Sequence, residues 1–234
     1  MKIFLFFLFF THIASASSLS LDLGQTKTNY NRFSIPTNVA SQLEMPQGEG
    51  IASYRLTGYI DLASRNQFYF LLAPLQVEYS LNAVSNFRFN NTNFTSGSTT
   101  NITYKFNSYR VGYLWTWTNS NFKYWLGAVG KIRDAKIEVI QASVRDQYDN
   151  VGFVPLAAFG FEWLLGSHFS LLSHTDALAA SQGAAYDAHL ELRYRLGAIA
   201  TSLGARILGG GAENERVYSF AQFDTTYARF SLIF

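Results

Sequence analysis

The sequence contains no cysteine, has few charged residues and lacks any long apolar run after its first ten positions. The missing cysteine excludes disulfides, thiolate metal sites and a lipid-modified N-terminal cysteine. Charged residues make up 15% of the chain, well below the ~25% of soluble domains, and a net charge of +2 is too small to indicate nucleic-acid binding. No later stretch approaches the ~20 apolar residues of a membrane-spanning helix.

The first 16 residues have the pattern of a secretory signal segment. Lys2 supplies a short positive start, Ile3–Phe10 is an unbroken apolar run, and Ala14–Ala16 has the small residues of a cleavage site. The apolar run is far shorter than the ~20 residues of a spanning helix. We therefore predict a signal peptide over residues 1–16 and one mature domain over residues 17–234.

Apolar residues nevertheless make up 48% of the chain and aromatic residues 17%, so polar and apolar positions must be interleaved. The clearest example is Asp187–Leu196, where Asp187, His189 and Glu191 alternate with Ala188, Leu190 and Leu192. A helix would scatter these leucines around its axis. The period of two predicts a strand with one polar and one apolar face.

The same alternation recurs along the mature chain and predicts an all-β fold. We expect ten strands, at about residues 19–33, 51–62, 67–79, 102–117, 122–133, 151–164, 168–176, 186–196, 199–207 and 217–234, and eight strands is the alternative count. Short connections alternate with long ones, at 34–50, 80–101, 134–150, 177–185 and 208–216. This organisation is typical of a closed up-and-down antiparallel transmembrane β-barrel in the bacterial outer membrane, with both termini in the periplasm.

Two sets of residues are predicted from the two faces of these strands. An aromatic girdle is expected near the short turns, at Trp115, Trp117, Trp125 and Trp163. Charged side chains are expected to line the lumen, at Arg55, Glu78, Arg110, Lys131, Arg133, Glu162, Asp187, Glu191, Arg193, Arg195, Arg206 and Arg229. Because both signs are interleaved and small barrels are filled by their own side chains, an ion-paired plug is favoured over an anion-selective channel.

The last strand carries the most specific motif. Phe230, Leu232 and Phe234 alternate up to a terminal aromatic residue. This resembles the C-terminal strand of outer-membrane barrel proteins, and the resemblance implies recognition by the barrel-assembly machinery. The expected partners are therefore that machinery, periplasmic chaperones and outer-membrane lipid, with no nucleic acid.

Histidine and aspartate alternate on two neighbouring strands. In a symmetric hairpin, His174 pairs opposite His189 and Asp176 opposite Asp187, and these four residues, the His–Asp cluster, are expected in the lumen near the external rim. Asp187-Ala188-His189 resembles the Asp-x-His pair of the omptin proteases, which are ten-stranded outer-membrane barrels. The second omptin pair, Asp-x-Asp, occurs nowhere in the chain. A transition metal is an alternative occupant, but pairing of the aspartates with Arg193 or Arg206 is favoured.

The sequence therefore predicts an integral outer-membrane barrel without catalysis and without a cofactor, in a structural, adhesive or narrow-pore transport role. Two alternatives stay open. One is an omptin-like hydrolase with its active site at the extracellular rim, and the other is a soluble periplasmic lipid carrier. Ligand, solute, adhesion partner and oligomeric state are left open.

Overall fold

The alternating segments form a closed antiparallel β-barrel. The structure is a computed structural model that describes residues 17–48, 50–63 and 65–234; the predicted signal segment, residues 1–16, lies outside the described residues. The last strand pairs with the first, from Ser18–Ile233 to Ser34–Tyr218, and closes the sheet. Within the described residues the strands are β1 (Ser18–Ser34), β2 (Leu43–Glu44), β3 (Ile51–Ala63), β4 (Asn66–Ala73), β5 (Gln76–Asn82), β6 (Phe87–Phe89), β7 (Thr92–Phe94), β8 (Thr99–Asn119), β9 (Phe122–Gln141), β10 (Val144–Leu164), β11 (Phe169–Ala180), β12 (Gly183–Leu196), β13 (Ile199–Glu213) and β14 (Tyr218–Ile233).

Over the described residues the barrel wall has ten strands, as predicted. Strands β4 and β5 occupy one position in the wall, because both pair with β8 and only Pro74 and Leu75 separate them. Strand β2 adds a short pairing to β1, and β6 and β7 form a separate small hairpin. Among the described residues there is no helix long and apolar enough to cross a membrane.

The periplasmic half of the barrel, near the short turns, has an apolar outer face and a polar lumen. We call this apolar outer face the apolar band. On β12 the outward Leu190 and Leu192 are 48% and 49% exposed, whereas the inward His189 and Glu191 are buried. Arg193 also faces the lumen, where it pairs with Glu162 and Glu191. The predicted opposite orientations of Leu192 and Arg193 are confirmed. This polarity is the one that a wall between lipid and a polar interior requires.

Above this apolar band the polarity of the wall is reversed. On β9 the outward Leu126 and Ile132 are followed by the outward Asp134, while Ile137 and Val139 are buried on the inner side. Strands β8 and β10 have 21 residues each, about twice the ~9–11 that a tilted strand needs to cross a bilayer. The upper halves of β8, β9 and β10 therefore form an extension that stands outside the membrane.

The extension encloses an apolar core of its own. The β6–β7 hairpin inserts Phe87, Phe89 and Phe94 among residues of the barrel strands, such as Phe33 and Phe223. Most of the predicted long loops at 134–150, 177–185 and 208–216 are strand, and the predicted loop at 80–101 contains β6 and β7. The outward side chains of these segments are polar, so their composition resembles that of a loop. In the structure the segments are β-strands whose outer face contacts water.

Candidate functional site

A network of four arginines and four carboxylates fills the middle of the lumen. Arg55, Arg110, Arg206 and Arg229 come from β3, β8, β13 and β14, and Asp22, Asp176, Asp187 and Glu191 come from β1, β11 and β12. All eight are buried. They meet because each occupies an inward position on its strand, and the barrel brings opposite walls within reach of one another.

Asp187 is the centre of one half of this network. Its two carboxylate oxygens accept hydrogen bonds from the Arg55 guanidinium at 3.2 and 2.7 Å. Arg110 Nη2 lies 2.7 Å from Asp187 Oδ2, and Arg206 Nε lies 3.6 Å from Oδ1. Arg110 also bridges to Asp176, at 2.7 Å. Each charge is therefore compensated by at least one partner, which a buried ion needs.

The other half is centred on Asp22 and Glu191. Asp22 accepts from Arg206 Nη2 and Arg229 Nε, both at 2.6 Å. Arg229 Nη1 lies 2.9 Å from Glu191, which also accepts from the Tyr227 hydroxyl at 3.0 Å. Sequence reasoning did not single out Asp22, although the alternation of Leu21 and Leu23 around it was the signal that could have found it.

The His–Asp cluster has the predicted register but a different location. His174 pairs opposite His189 and Asp176 opposite Asp187, as expected for a symmetric hairpin. The prediction that places these four residues at the external rim is wrong, because the two aspartates belong to the central network and the two histidines are buried beside it. The hairpin turn lies several residues further along both strands, between Ala180 and Gly183.

The hydrogen bonds of the cluster favour a structural role for its histidines. Trp125 Nε1 donates to His174 Nδ1 at 2.8 Å, so the other ring nitrogen, Nε2, carries the hydrogen that His174 donates to Asp176 at 2.9 Å. The His189 ring stacks on His174 with centroids 5.9 Å apart. Within residues 17–48, 50–63 and 65–234, no group of three or more His, Cys, Asp or Glu residues is arranged to hold a metal.

The other predicted lumen residues fall into three groups. Arg193, Arg195 and Glu162 line the periplasmic mouth, and Lys131 and Arg133 lie on the inner side of β9 above the network. Glu78 does not face the lumen: on β5 Val77 and Tyr79 are buried and Glu78 is exposed. The prediction for Glu78 is wrong because β5 belongs to the extension, where the inner face is apolar.

Three of the four predicted girdle residues lie on the outer face. Trp115 and Trp163 are exposed and Trp117 half-buried, all near the periplasmic turns. Trp125 is only 7% exposed and faces the lumen, where it binds His174, so its assignment to the girdle is wrong. Phe230, Leu232 and Phe234 are all exposed on the outer face of the last strand, which leaves them accessible for the predicted recognition.

The network leaves little free space in the lumen. A cavity of about 120 Å³ opens at the periplasmic end beside Ser18, Arg195 and Ser231, and one of about 80 Å³ lies in the extension beside Tyr104 and Arg133. Between them, the cavity among the network residues measures about 10 Å³. That volume is about one water molecule, so the predicted plug describes the lumen better than a channel.

Comparison with solved structures identifies the fold. The outer membrane protease OmpT from Escherichia coli superposes with a TM-score of 0.59 over 94% of this chain and 97% of that chain, at 9% identity. The chain has the fold of the outer-membrane β-barrel proteins. The attachment invasion locus protein Ail of Yersinia pestis matches with a TM-score of 0.44 (8% identity, 92% and 99% coverage) and Neisserial surface protein A with 0.36 (12% identity, 94% and 99%). No family model and no curated protein sequence matches the chain.

Its place in the outer membrane follows from the closed wall and the apolar band together with this fold. A soluble periplasmic carrier would bury its outward leucines, so the band argues against that alternative. The OmpT likeness concerns the fold. The Asp187–His189 pair of this barrel is buried beneath the extension, whereas an omptin-like site would stand at the external rim.

Proposed function

We propose that this outer-membrane barrel is a closed, non-conducting protein whose structural or adhesive role is carried by its external extension. The observation behind the proposal is the filled interior. The arginine–carboxylate network leaves about 10 Å³ in the middle of the lumen, and the apolar core fills the extension above it. Solute transport needs a continuous polar path, which two successive packed layers do not provide.

The extension supports an external role because it is built like a water-soluble domain. Its core is apolar, and its outward side chains, such as Lys105, Arg145 and Asp149, are charged. Insertion into lipid does not require strands of this length. The additional residues therefore serve the space outside the membrane, as a scaffold or as a contact surface.

Planar-bilayer recording tests the closed state. The purified protein is expected to be silent. A variant in which both layers are opened, Arg110→Ala with Asp187→Ala and without the β6–β7 hairpin (Phe87–Phe94), is expected to conduct. This variant is the positive control for insertion and detection. Stable, reproducible conductance by the parent protein would refute the proposal and favour a narrow pore.

A shortened variant tests the adhesive role. Joining Ile137 to Tyr148, which are paired opposite each other, by an Asn-Gly turn removes the tip of the β9–β10 hairpin and keeps the register. Cells that display the parent are expected to aggregate, or to be retained on immobilised matrix proteins, more strongly than cells that display the shortened variant. Equal retention at equal surface density would leave only the structural role.

A further inference from the structure

The barrel wall has a lateral gap in the extension. Strands β10 and β11 pair only from Leu164–Ser170 to Ala157–Ala177, and the β11–β12 hairpin turns just above, between Ala180 and Gly183. The segment of β10 over residues 144–156 therefore has no described strand paired with it on the β11 side; only its upper end is touched, where Asn90 and Asn91 of the β6–β7 hairpin bond to Asp146 and Gln147. The cavity of about 80 Å³ in the extension lies between Tyr148 and Asn150 of β10 and Gly211 and Ala212 of β13. We call this cavity the lateral cleft.

The lining of the lateral cleft is amphipathic. Ile35, Phe106 and Val217 give it apolar walls, and Tyr104 and Arg133 place polar groups inside it. Burial raises the pKa of the Tyr104 phenol, so its hydroxyl is protonated at neutral pH and can donate a hydrogen bond. A small apolar chamber with a few convergent polar groups is the usual form of a ligand site.

The charge in the lateral cleft is not compensated. Every arginine of the central network has a carboxylate partner, but no described carboxylate lies within ion-pair distance of Arg133 or Lys131. Arg133 Nη2 donates to Asn150 Oδ1, and its buried Nε has no hydrogen-bond partner. Lys131 is 2% exposed, with Nζ 4.7 Å from the centroid of Phe106. Arg133 as a whole is half-buried. A partly buried cation without a counter-charge is costly, so an anion beside Arg133 would be stabilised.

The gap also leads to the membrane surface. On β10, beside the gap, the outward Val151 and Phe153 are 69% and 67% exposed, and the outward Asp149 directly precedes them. The opening therefore lies where the apolar band gives way to the polar extension. A ligand at Arg133 can extend from the cleft over an apolar surface into the outer leaflet.

We propose that the lateral cleft binds an amphiphile with an anionic headgroup, whose carboxylate or phosphate oxygens accept hydrogen bonds from Arg133. Lys131 lies below the site, on the same side of β9. A cavity of about 80 Å³ holds a headgroup and not a lipid chain, so the chain leaves through the gap along Val151 and Phe153. This inference is independent of the adhesive or structural role, because a closed barrel can bind a lipid at its wall.

Calorimetric titration of the barrel in phosphatidylcholine nanodiscs tests the proposal, with empty nanodiscs subtracted. The probes are octyl phosphate, octanoate, inorganic phosphate and the uncharged octyl glucoside. Octyl phosphate or octanoate is expected to bind, and the preferred one identifies the headgroup as phosphate or carboxylate. Inorganic phosphate lacks the apolar chain, and octyl glucoside lacks the anionic group. Each is therefore expected to bind at least about tenfold more weakly than the preferred probe.

Three variants locate the binding. Arg133→Gln is expected to weaken binding of the preferred probe by about tenfold or more, and Ala212→Phe, which fills the cleft from β13, is expected to weaken it while Arg133 stays in place. Arg195→Gln, at the periplasmic mouth, is the matched control and is expected to bind like the parent. Retained folding of all three is checked by their heat-dependent mobility in gels.

Two outcomes would overturn the proposal. If inorganic phosphate binds as tightly as octyl phosphate, the site recognises an anion and not an amphiphile. If the preferred probe binds the parent, Arg133→Gln and Ala212→Phe equally, any binding lies elsewhere on the barrel or in the lipid.

Discussion

Replacing Asp187 with asparagine would test whether the central network stabilises the barrel. Asp187 is 3% exposed and contacts Arg55, Arg110 and Arg206. The asparagine side chain would keep nearly the same volume and one acceptor oxygen, so packing changes little. The substitution removes one negative charge from a group of four arginines and four carboxylates and leaves three guanidinium groups around a neutral amide.

The magnitude follows from the contacts. Arg55 makes two hydrogen bonds to the Asp187 carboxylate, at 3.2 and 2.7 Å, and Arg110 approaches to 2.7 Å. Hydrogen bonds to charged groups are worth about 1.5–3 kcal/mol each, and the amide oxygen replaces part of them. Breaking a buried ion pair from one side costs about 3–5 kcal/mol, so we expect a loss of about 3–5 kcal/mol in the free energy of unfolding.

Urea unfolding in lipid vesicles measures this loss, with Asp149→Asn as the control. Asp149 is exposed on the outer face of the extension and interacts with Gln147, so its substitution is expected to change the free energy of unfolding by less than about 0.5 kcal/mol. The double variant Asp187→Asn with Arg110→Gln is expected to lose less free energy of unfolding than the sum of the losses of the two single variants. The reason is that both substitutions remove the same ion pair, Arg110–Asp187. Equal, small losses for Asp187→Asn and Asp149→Asn would show that water screens the network, and the argument for a packed plug would fail.

Three further predictions concern other parts of the barrel. Leu192→Arg places a cation on the apolar band and should cost about 2–4 kcal/mol, seen as a reduced outer-membrane yield, and an unchanged yield would contradict the band. Deletion of Phe234, the last residue of the motif that resembles the assembly signal, should increase periplasmic degradation, and normal membrane levels would count against that role. Titration with zinc or nickel should show negligible binding by both the parent and the double variant His174→Ala with His189→Ala, because Asp176 and Asp187 are already paired with arginine. Binding by the parent alone would favour the metal alternative.

Alternation predicted the strands, but it predicted their inner face only inside the membrane. On β12 the leucines face outwards and Asp187 and Glu191 inwards, as expected. On β5 the same pattern has the opposite sense, and Val77 is buried while Glu78 is exposed. The physical reason is the medium outside the wall, which is lipid in one segment and water in the next. A period of two contains no information on where that change occurs.

The pairing of residues within the candidate site was predictable, but the position of the site along the barrel axis was not. A hairpin fixes which residues face each other, so the pairing of His174 with His189 could be predicted. Its height in the barrel depends on how far the neighbouring strands continue, and their polar upper halves had the composition of loops. Trp125 shows a similar difficulty. A shift of one residue along the strand decides whether a tryptophan near a turn points outwards into the girdle or inwards into the lumen.

The unpaired edge of β10 also bears on how copies of the barrel behave towards one another. A free strand edge is a template on which another chain can pair, and in a crowded membrane that pairing would join barrels edge to edge. This edge carries Pro155, which has no amide hydrogen, together with the charged and exposed Arg145 and Asp149. Such residues are the usual protection of strand edges. The opening in the wall can therefore persist without making the protein prone to association. Replacing these three residues with β-branched apolar residues would convert the gap into an interface between two barrels.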